Sequence, residues 1–164
     1  MTFRVMMCYN IGREVTAMTY TERLFANGYL TEQDFVLALE TLPTATQITR
    51  LPIYIVGITE FKGAEGVGAW VEDGILYLDP VVFFTDRETA LGTAKKHEQA
   101  AIFKMTGILQ ETDVVCPKND LEPLYEVLEQ FSTIFGGATS LCIRKDDEHY
   151  IFRVYAGSGE VVFL

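Results

Sequence analysis

The sequence predicts an α+β fold in a single domain covering residues 1–164, with about four helices packed on a mainly antiparallel or mixed sheet. Three observations lead to this prediction. Most β-rich segments are joined by tight turns, which leave too few residues for the crossovers of a parallel sheet. Three other segments carry apolar residues at helical spacing, and a fourth, near Thr21–Ala26, is expected to form a short helix. A chain of 164 residues, 49% of them hydrophobic, also has the size of one domain with its own core.

The N-terminal part is predicted to hold one strand and two short helices. Phe3–Tyr9 has the alternating pattern of a strand, and a short helix is expected near Thr21–Ala26. Thr31 and Asp34 form a capping box at the start of a clearer second helix. The apolar face of this second helix consists of Phe35, Ala38, Leu39 and Leu42.

The middle of the chain is predicted to contain several strands. Ile53–Glu60 is rich in β-branched residues and is expected to form one of them. Asp73-Gly74 is the strongest hairpin signal in the chain and leads into a strand over Ile75–Leu78. Asp79-Pro80 predicts a break before the next strand.

A third helix and a further strand follow. Thr85 and Glu88 form a capping box for a helix that ends near Glu98. Ala101–Met105 is predicted to be a strand, and Thr106-Gly107 is predicted to turn the chain into the next one.

The last third repeats this organisation. Asn119 or Asp120 is predicted to cap the fourth helix, and Gly136 is predicted to end it. The apolar face of this helix consists of Leu121, Leu124, Leu128, Phe131 and Phe135. The predicted strands are Thr139–Lys145, His149–Tyr155 and Glu160–Leu164.

Charge and cysteine content exclude several classes of protein. A net charge of −10 and a pI near 4.6 repel phosphate groups, so direct binding of nucleic acid is not expected. The three cysteines, Cys8, Cys116 and Cys142, form no close pair, which argues against a disulfide framework. No apolar run approaches the roughly 20 residues of a membrane span, and no secretory signal is visible. We therefore expect a cytoplasmic protein without membrane contact.

No motif indicates catalysis, a metal or a cofactor. We predict no metal and no cofactor, and we favour a protein without catalytic activity while keeping an enzyme as an alternative. Four zinc ligands would have to come from scattered positions. Cys142 and His149 are the most plausible nucleophile and base, because they lie on opposite arms of the last hairpin, but no local motif supports them. Asp73 and Asp79 could form an acid–base pair. Each is followed by a turn residue, Gly74 or Pro80, so turn chemistry already explains why an aspartate stands at both positions.

Two features are candidates for recognition. Glu122, Glu126 and Glu129 lie on the side of the fourth helix opposite its apolar face, and Asp120 precedes them. Like charges four residues apart destabilise a helix by about 0.2–0.5 kcal/mol, and a basic partner that contacts the row would explain why the glutamates stand there. The alternative is that this face of the helix is only solvated.

Trp70 is a candidate aromatic anchor. The glycine-rich loop 63–68 beside it is either a hairpin connection or part of the recognition surface.

Residues 70–105 combine an Asp-Gly hairpin, a strand after Asp79-Pro80, a capped alanine-rich helix and the segment Gln99-Ala-Ala-Ile-Phe. This layout resembles small accessory proteins encoded by tailed bacteriophages. The resemblance implies a protein that binds a host protein in the host cytoplasm, for example as an inhibitor of host defence. It transfers no functional residue to this chain.

We therefore expect a small acidic protein that binds another protein with a basic surface, through the acidic helix and Trp70. The alternative is a small-molecule-binding module, with its site between the sheet and the helical hairpin, or an enzyme whose site has no recognisable motif. A large internal polar pocket would favour this alternative, whereas a flat apolar face or an ordered acidic row would favour the protein partner. The oligomeric state stays open.

Overall fold

Six strands pair side by side in a closed antiparallel ring, and helices pack on it. The computed structural model describes residues 6–7, 16–17, 19–26, 30–44, 47–136 and 139–164. The helices in these ranges are α1 (Tyr20–Phe25), α2 (Glu32–Thr41), α3 (Arg87–Lys96) and α4 (Glu122–Phe135). The strands are β1 (Met6–Met7), β2 (Thr16–Ala17), β3 (Ile53–Gly57), β4 (Gly66–Glu72), β5 (Ile75–Phe84), β6 (Ala101–Pro117), β7 (Thr139–Lys145) and β8 (His149–Phe163).

The closed sheet has the strand order β3-β5-β4-β7-β8-β6, and β6 pairs with β3 to complete a closed barrel. All six pairings are antiparallel. β1 pairs with β2 in a separate two-stranded sheet; the rest of the strand predicted over Phe3–Tyr9 lies outside the described residues. The predicted α+β fold, with helices on a mainly antiparallel sheet, is confirmed. The closure of the sheet is not predicted by any local signal.

The helices cover one face of the sheet and bury the larger hydrophobic core against it. Leu124, Tyr125 and Leu128 of α4 are almost inaccessible there, as are Ala90 and Ala94 of α3. The opposite face carries a second, smaller core to which no described helix contributes. The buried residues of this second core are Ile48, Ile53, Ile55, Val81, Met105, Cys142 and Tyr155.

Turns and caps follow the local chemistry predicted from the sequence. Asp73 and Gly74 join β4 to β5 with positive φ angles of 53° and 75°, as a tight hairpin turn of this kind requires. The Thr31 hydroxyl caps α2 by accepting a hydrogen bond from the Asp34 N–H at 3.1 Å. Gly136 ends α4 in the left-handed conformation, with a φ of 67°.

The break predicted at Asp79-Pro80 is wrong, since β5 continues through both residues. Pro80 lies opposite Val67 of β4, and its carbonyl oxygen accepts a hydrogen bond from the Ile58 N–H at 3.0 Å. Proline has no backbone N–H to donate, but its carbonyl oxygen can still accept a hydrogen bond. It can therefore stay within a strand where the neighbouring chain donates to that carbonyl oxygen. Asp79 therefore lies within a paired strand, opposite Gly68, instead of in a turn.

One predicted turn and one predicted separation of two strands in the C-terminal half are also wrong. β6 continues through Thr106-Gly107, where a shift in its register with β8 replaces the turn. β8 joins the segments predicted as His149–Tyr155 and Glu160–Leu164 into one strand. Register shifts of this kind let a long strand pair bend without ending.

Some element ends differ from the prediction. β3 ends at Gly57, earlier than predicted, and β4 begins at Gly66, inside the predicted glycine-rich loop. Asp86 rather than Thr85 caps α3, because its carboxylate accepts a hydrogen bond from the Thr89 N–H at 2.9 Å.

Candidate functional site

The predicted acidic row on α4 contacts α1. The Glu122 carboxylate accepts hydrogen bonds from the backbone N–H groups of Tyr20, at 3.0 Å, and Thr21, at 2.9 Å. These donors belong to the first turn of α1, where backbone N–H groups have no acceptor within their own helix. Glu122 therefore caps a neighbouring helix and complements its dipole.

A second member of the row, Glu129, forms an ion pair with Arg23 of α1 at 2.5 Å. Only 13% of the Arg23 side chain and 19% of the Glu129 side chain are exposed. The Arg23 guanidinium also lies 5.4 Å from the centre of the Tyr20 ring. Its Nε and Nη2 atoms are buried without a hydrogen-bond acceptor among the described residues. Glu129 is therefore the carboxylate that balances a largely buried charge.

The remaining acidic residues of the predicted site are placed differently. Asp120 is exposed, and its Oδ1 accepts a hydrogen bond from the Glu122 N–H at 3.1 Å, so it supports the start of α4 from just before the cap residue Leu121. Glu126 is half-buried. The structure thus uses Glu122 and Glu129 to hold α1, and recognition of a basic partner by this row stays a prediction.

We expect the contribution of Glu122 to stability to depend on pH. Burial raises the pKa of Glu122, but hydrogen bonds from Thr21, Thr19 and Tyr20 lower it more, so it lies below the ordinary 4.5. A carboxyl with a lowered folded-state pKa stabilises the fold above its unfolded pKa and loses this effect as the pH falls through the folded value.

Glu122→Gln should therefore be less stable than the parent protein at pH 7, and the difference should shrink as the pH falls from about 4.5. Urea unfolding at a series of pH values measures this difference. Glu126→Gln on the same helix is the matched control. A Glu122→Gln deficit that is the same at pH 7 and pH 3 would contradict the assignment.

Trp70, the predicted aromatic anchor, forms part of a cavity wall. It is half-buried in β4 and lies directly opposite Tyr77 of β5. The two rings stack with their centres 5.1 Å apart and an angle of 10° between their planes. Both are held by paired strands, so the aromatic surface is fixed by the sheet and not by the preceding loop.

The cavity beside Trp70 has a volume of about 540 Å³ and is lined by residues from all six strands of the closed sheet. Its lining includes Ile55 and Gly57 of β3, Gly68 and Trp70 of β4, Asp79 and Val81 of β5, Ala101 and Phe103 of β6, Ser140 of β7 and Val161 of β8. Gln99, which precedes β6, also lines it. Ile55 and Val81 belong to the smaller core, so the cavity is continuous with that core.

Two glycines keep the cavity open. A Cβ atom on Gly68 would lie 3.3 Å from Cγ1 of Val81, and one on Gly57 would lie 3.5 Å from Oε1 of Gln99. Any larger side chain at either position would occupy space that now belongs to the cavity.

Polar groups in the lining are arranged around Gly68. Gly68 lies opposite Asp79 of β5 on one side and opposite Ser140 of β7 on the other. Because neighbouring strands are about 4.8 Å apart, the backbones of Asp79 and Ser140 are roughly 10 Å apart. Thr139 precedes Ser140 on β7 and lies opposite Ala69 and Ala156 of the larger core, so its side chain points to the opposite face of the sheet, where its hydroxyl is buried without a hydrogen-bond partner among the described residues.

The cysteine–histidine pair considered from the sequence is not brought together. Cys142 lies opposite Arg153, whereas His149 is four residues earlier in β8, about 13 Å along the strand. Burial raises the pKa of the Cys142 and Cys116 thiols to about 11, which disfavours the reactive thiolate. Within the described ranges, no group of three or more His, Cys, Asp or Glu side chains is placed to hold a metal ion.

Trp70 is predicted from the sequence as a recognition residue, but the cavity is not. The available signal was the alternation of Gly66, Gly68 and Trp70, which is the period of a strand. Glycines at successive positions on one face of a strand leave empty space above the sheet. Because these glycines are predicted to lie in a loop, the sequence does not reveal this space.

Among the described helices, none is long and apolar enough to cross a membrane. Comparison of this chain with protein-family models, with curated proteins and with solved structures found no match.

Proposed function

We propose that this protein is a binding module for a small molecule and that the six-strand cavity is its binding site. One observation carries the proposal: residues from every strand of the closed sheet line a single volume of about 540 Å³. Sites for small molecules in proteins typically have volumes of roughly 300–1,000 Å³. The sequence predicts such a site between the sheet and the helical hairpin; the cavity lies instead among the strands.

The chemistry of the lining supports this proposal. Ile55, Val81 and Phe103 provide apolar wall, whereas Asp79 and Ser140 provide a few polar groups at defined positions. Apolar surface supplies most of the binding free energy of a small ligand, and a small number of polar groups fixes its orientation. Because paired strands hold these side chains, little ordering of the protein is needed when a ligand enters.

Binding is favoured over catalysis by the residue types in the lining. Among the described residues that line the cavity there is no cysteine, histidine or lysine, the side chains that most often act as nucleophile or base. Ser140 is separated from the Asp79 carboxylate by the whole of β4. The cavity therefore has recognition groups without an activated nucleophile.

A fragment screen with a cavity-blocking variant tests the proposal. We expect a library of small aromatic and aliphatic fragments to yield compounds that raise the melting temperature and shift NMR signals of cavity residues. Ala101→Phe places a ring in the cavity and should weaken these compounds at least about tenfold. Ala100→Phe adds the same ring at the neighbouring exposed residue, which does not line the cavity, and should leave their binding unchanged.

Two results would overturn this proposal. One is a screen in which no compound binds the parent protein at millimolar concentration. The other is a set of compounds that bind Ala101→Phe as tightly as Ala100→Phe. Circular dichroism of both variants checks that each retains its fold.

A second candidate function is the binding of another protein with a basic surface, as in an accessory protein that inhibits host machinery. The observation that favours it is the net charge of −10 together with the exposed Asp120 just before α4 and the half-buried Glu126 within it. Its test is Asp120→Lys with Glu126→Lys, which spares the two glutamates that hold α1. Once a partner has been captured, its affinity for the double variant is compared with its affinity for the parent protein at low and high salt. If neither the affinity nor its salt dependence changes, this face of α4 does not bind the partner.

A further inference from the structure

The Gln99 side chain is the polar group from which the class of ligand can be inferred, an inference that rests on the proposed function. A Cβ atom on Gly57 would lie 3.5 Å from Oε1, 3.6 Å from Cδ and 3.6 Å from Nε2 of Gln99. Nearly equal distances to three atoms of one planar amide mean that Gly57 lies against the flat face of this amide. Its oxygen and its N–H groups therefore point along the amide plane and not toward Gly57. Among the described residues, none forms a hydrogen bond with them.

The strand positions around Gly57 leave room for a flat ring beside this amide. Gly57 lies opposite Val81 of β5. Ile55, two residues earlier on the same side of β3, lies opposite Phe103 of β6. All of these residues line the cavity. A planar group that is hydrogen-bonded in the plane of the Gln99 amide can therefore lie over the β3 backbone at Gly57, where there is no side chain, and contact the apolar residues around it.

The Gln99 amide is suited to a group that has a hydrogen-bond donor and an acceptor side by side. A glutamine side chain offers one acceptor oxygen and two N–H donors. A lactam, in which a ring N–H adjoins a C=O, can pair with this amide through two hydrogen bonds, and glutamine binds the edge of adenine in the same two-bond manner. The amide therefore distinguishes a heterocycle with such an edge from a hydrocarbon ring of the same shape.

The charges around the cavity favour an uncharged ligand. Lysine, arginine and histidine are absent from its described lining, so an anion would find no counter-charge there. The net charge of −10 also repels anions at long range. Asp79 is the one acidic residue of that lining, and it already has an interaction within the protein, so the cavity does not call for a cation. A neutral ring avoids the cost of burying a charge without a partner.

We infer that the cavity takes an uncharged planar heterocycle with a lactam edge, as in a quinolone or a free nucleobase. The edge binds the Gln99 amide, and the ring lies over Gly57 beside Phe103. The geometry of the amide supplies the donor–acceptor preference, and the composition of the lining supplies the preference for a neutral ligand.

Four probes with one bicyclic ring separate the effect of the edge from the effect of charge. 2-Quinolone has the lactam edge, whereas 1-methyl-2-quinolone has the same ring and carbonyl without the N–H donor. Quinoline-2-carboxylate carries a negative charge, and N-methylquinolinium carries a positive charge. We expect calorimetric titration to show 2-quinolone binding at least about tenfold more tightly than each of the other three. NMR shifts at Gly57, Gln99 and Phe103 should place the binding in the cavity.

Two matched variants test the contact with Gln99. Gln99→Met keeps the length of the side chain but removes its donor and acceptor, so it should reduce the affinity for 2-quinolone to that for 1-methyl-2-quinolone. Gln110→Met makes the same change at an exposed residue of β6 that does not line the cavity. This second variant should leave the preference for 2-quinolone intact. Thermal melts of both variants check that each retains its fold.

The outcomes distinguish this inference from the proposed function. Equal affinities for 2-quinolone and its methylated form, tighter binding of either charged probe, or no binding of 2-quinolone would overturn the ligand class. A preference for 2-quinolone that survives in Gln99→Met would overturn the placement of the lactam edge. Fragments blocked by Ala101→Phe would support the cavity as a binding site in each of these cases.

Discussion

Glu129→Gln should destabilise the protein by about 3 kcal/mol, because it leaves Arg23 in a poorly solvated place without its carboxylate. The Arg23 side chain is 13% exposed, and two of its nitrogens have no acceptor in the described part of the chain. Neutralising one member of such a pair costs more than removing both, since the other charge stays buried. A loss of this size lowers the melting temperature of a 164-residue protein by about 6–12 °C.

Urea unfolding measures this loss, and two further variants identify its cause. Glu126→Gln makes the same change three residues earlier on α4, at a half-buried glutamate, and should cost less than about 1 kcal/mol. Arg23→Met combined with Glu129→Gln should be more stable than Glu129→Gln alone, because no unpaired charge is left. A double variant that is less stable than the single one would contradict this account.

The same experiment reports on how α1 is held. A helix of six residues is too short to be stable alone, so its contacts with α4 determine whether it stays folded. Glu122 and Glu129 supply the polar part of these contacts, and Leu24 is completely buried beside them. In Glu129→Gln, hydrogen exchange should accelerate first at the α1 amides.

Gly159→Ala should destabilise the protein by about 2–3 kcal/mol, because the added methyl group forces the paired backbones of β6 and β8 apart. A Cβ atom at this position would lie 1.9 Å from the carbonyl oxygen of Lys104. The obstacle is the backbone of the partner strand, so rotation of a side chain cannot relieve it. Thermal and urea unfolding measure the loss, and hydrogen exchange at Val161 should show local opening of the strand pair.

Two other glycines provide controls for this prediction. At Gly157 the obstacle is the Met105 side chain, with Sδ 2.2 Å from the added Cβ, so Gly157→Ala should cost less when Met105 is alanine. The cost of Gly159→Ala should be the same with lysine or alanine at position 104. On α3, Gly92→Ala meets nothing within 4 Å and should stabilise the protein by roughly 0.5–1 kcal/mol. A Gly159→Ala protein as stable as the parent would show that the strand pair can shift.

The elements that the sequence predicts well are those specified by neighbouring residues. The Asp73-Gly74 turn needs only two residues that accept positive φ, and the Thr31 cap needs only a hydroxyl within reach of an N–H three residues on. The buried face of α4 follows from apolar residues at helical spacing, as with Leu124 and Leu128. Each of these interactions joins residues only a few positions apart, so a short segment of sequence is enough to predict it.

Predictions fail where a distant strand decides the outcome. Pro80 stays in β5 because Ile58 donates to its carbonyl oxygen, and Thr106-Gly107 stays in β6 because β8 continues alongside it. From the local sequence, each of these sites has the composition of a turn. The pairing partner that keeps each one extended lies far along the chain.

The candidate site shows the same division. By itself, the sequence determined the α+β class, the acidic charge, the helix faces and the presence of Trp70 as a lone indole. Only the tertiary structure decided that Glu122 and Glu129 bind α1, and that Asp79 and Ser140 flank Gly68 across three strands. The physical reason is that periodicity and turn chemistry act over a few residues, whereas a cavity arises only when a closed sheet brings all six strands around one volume.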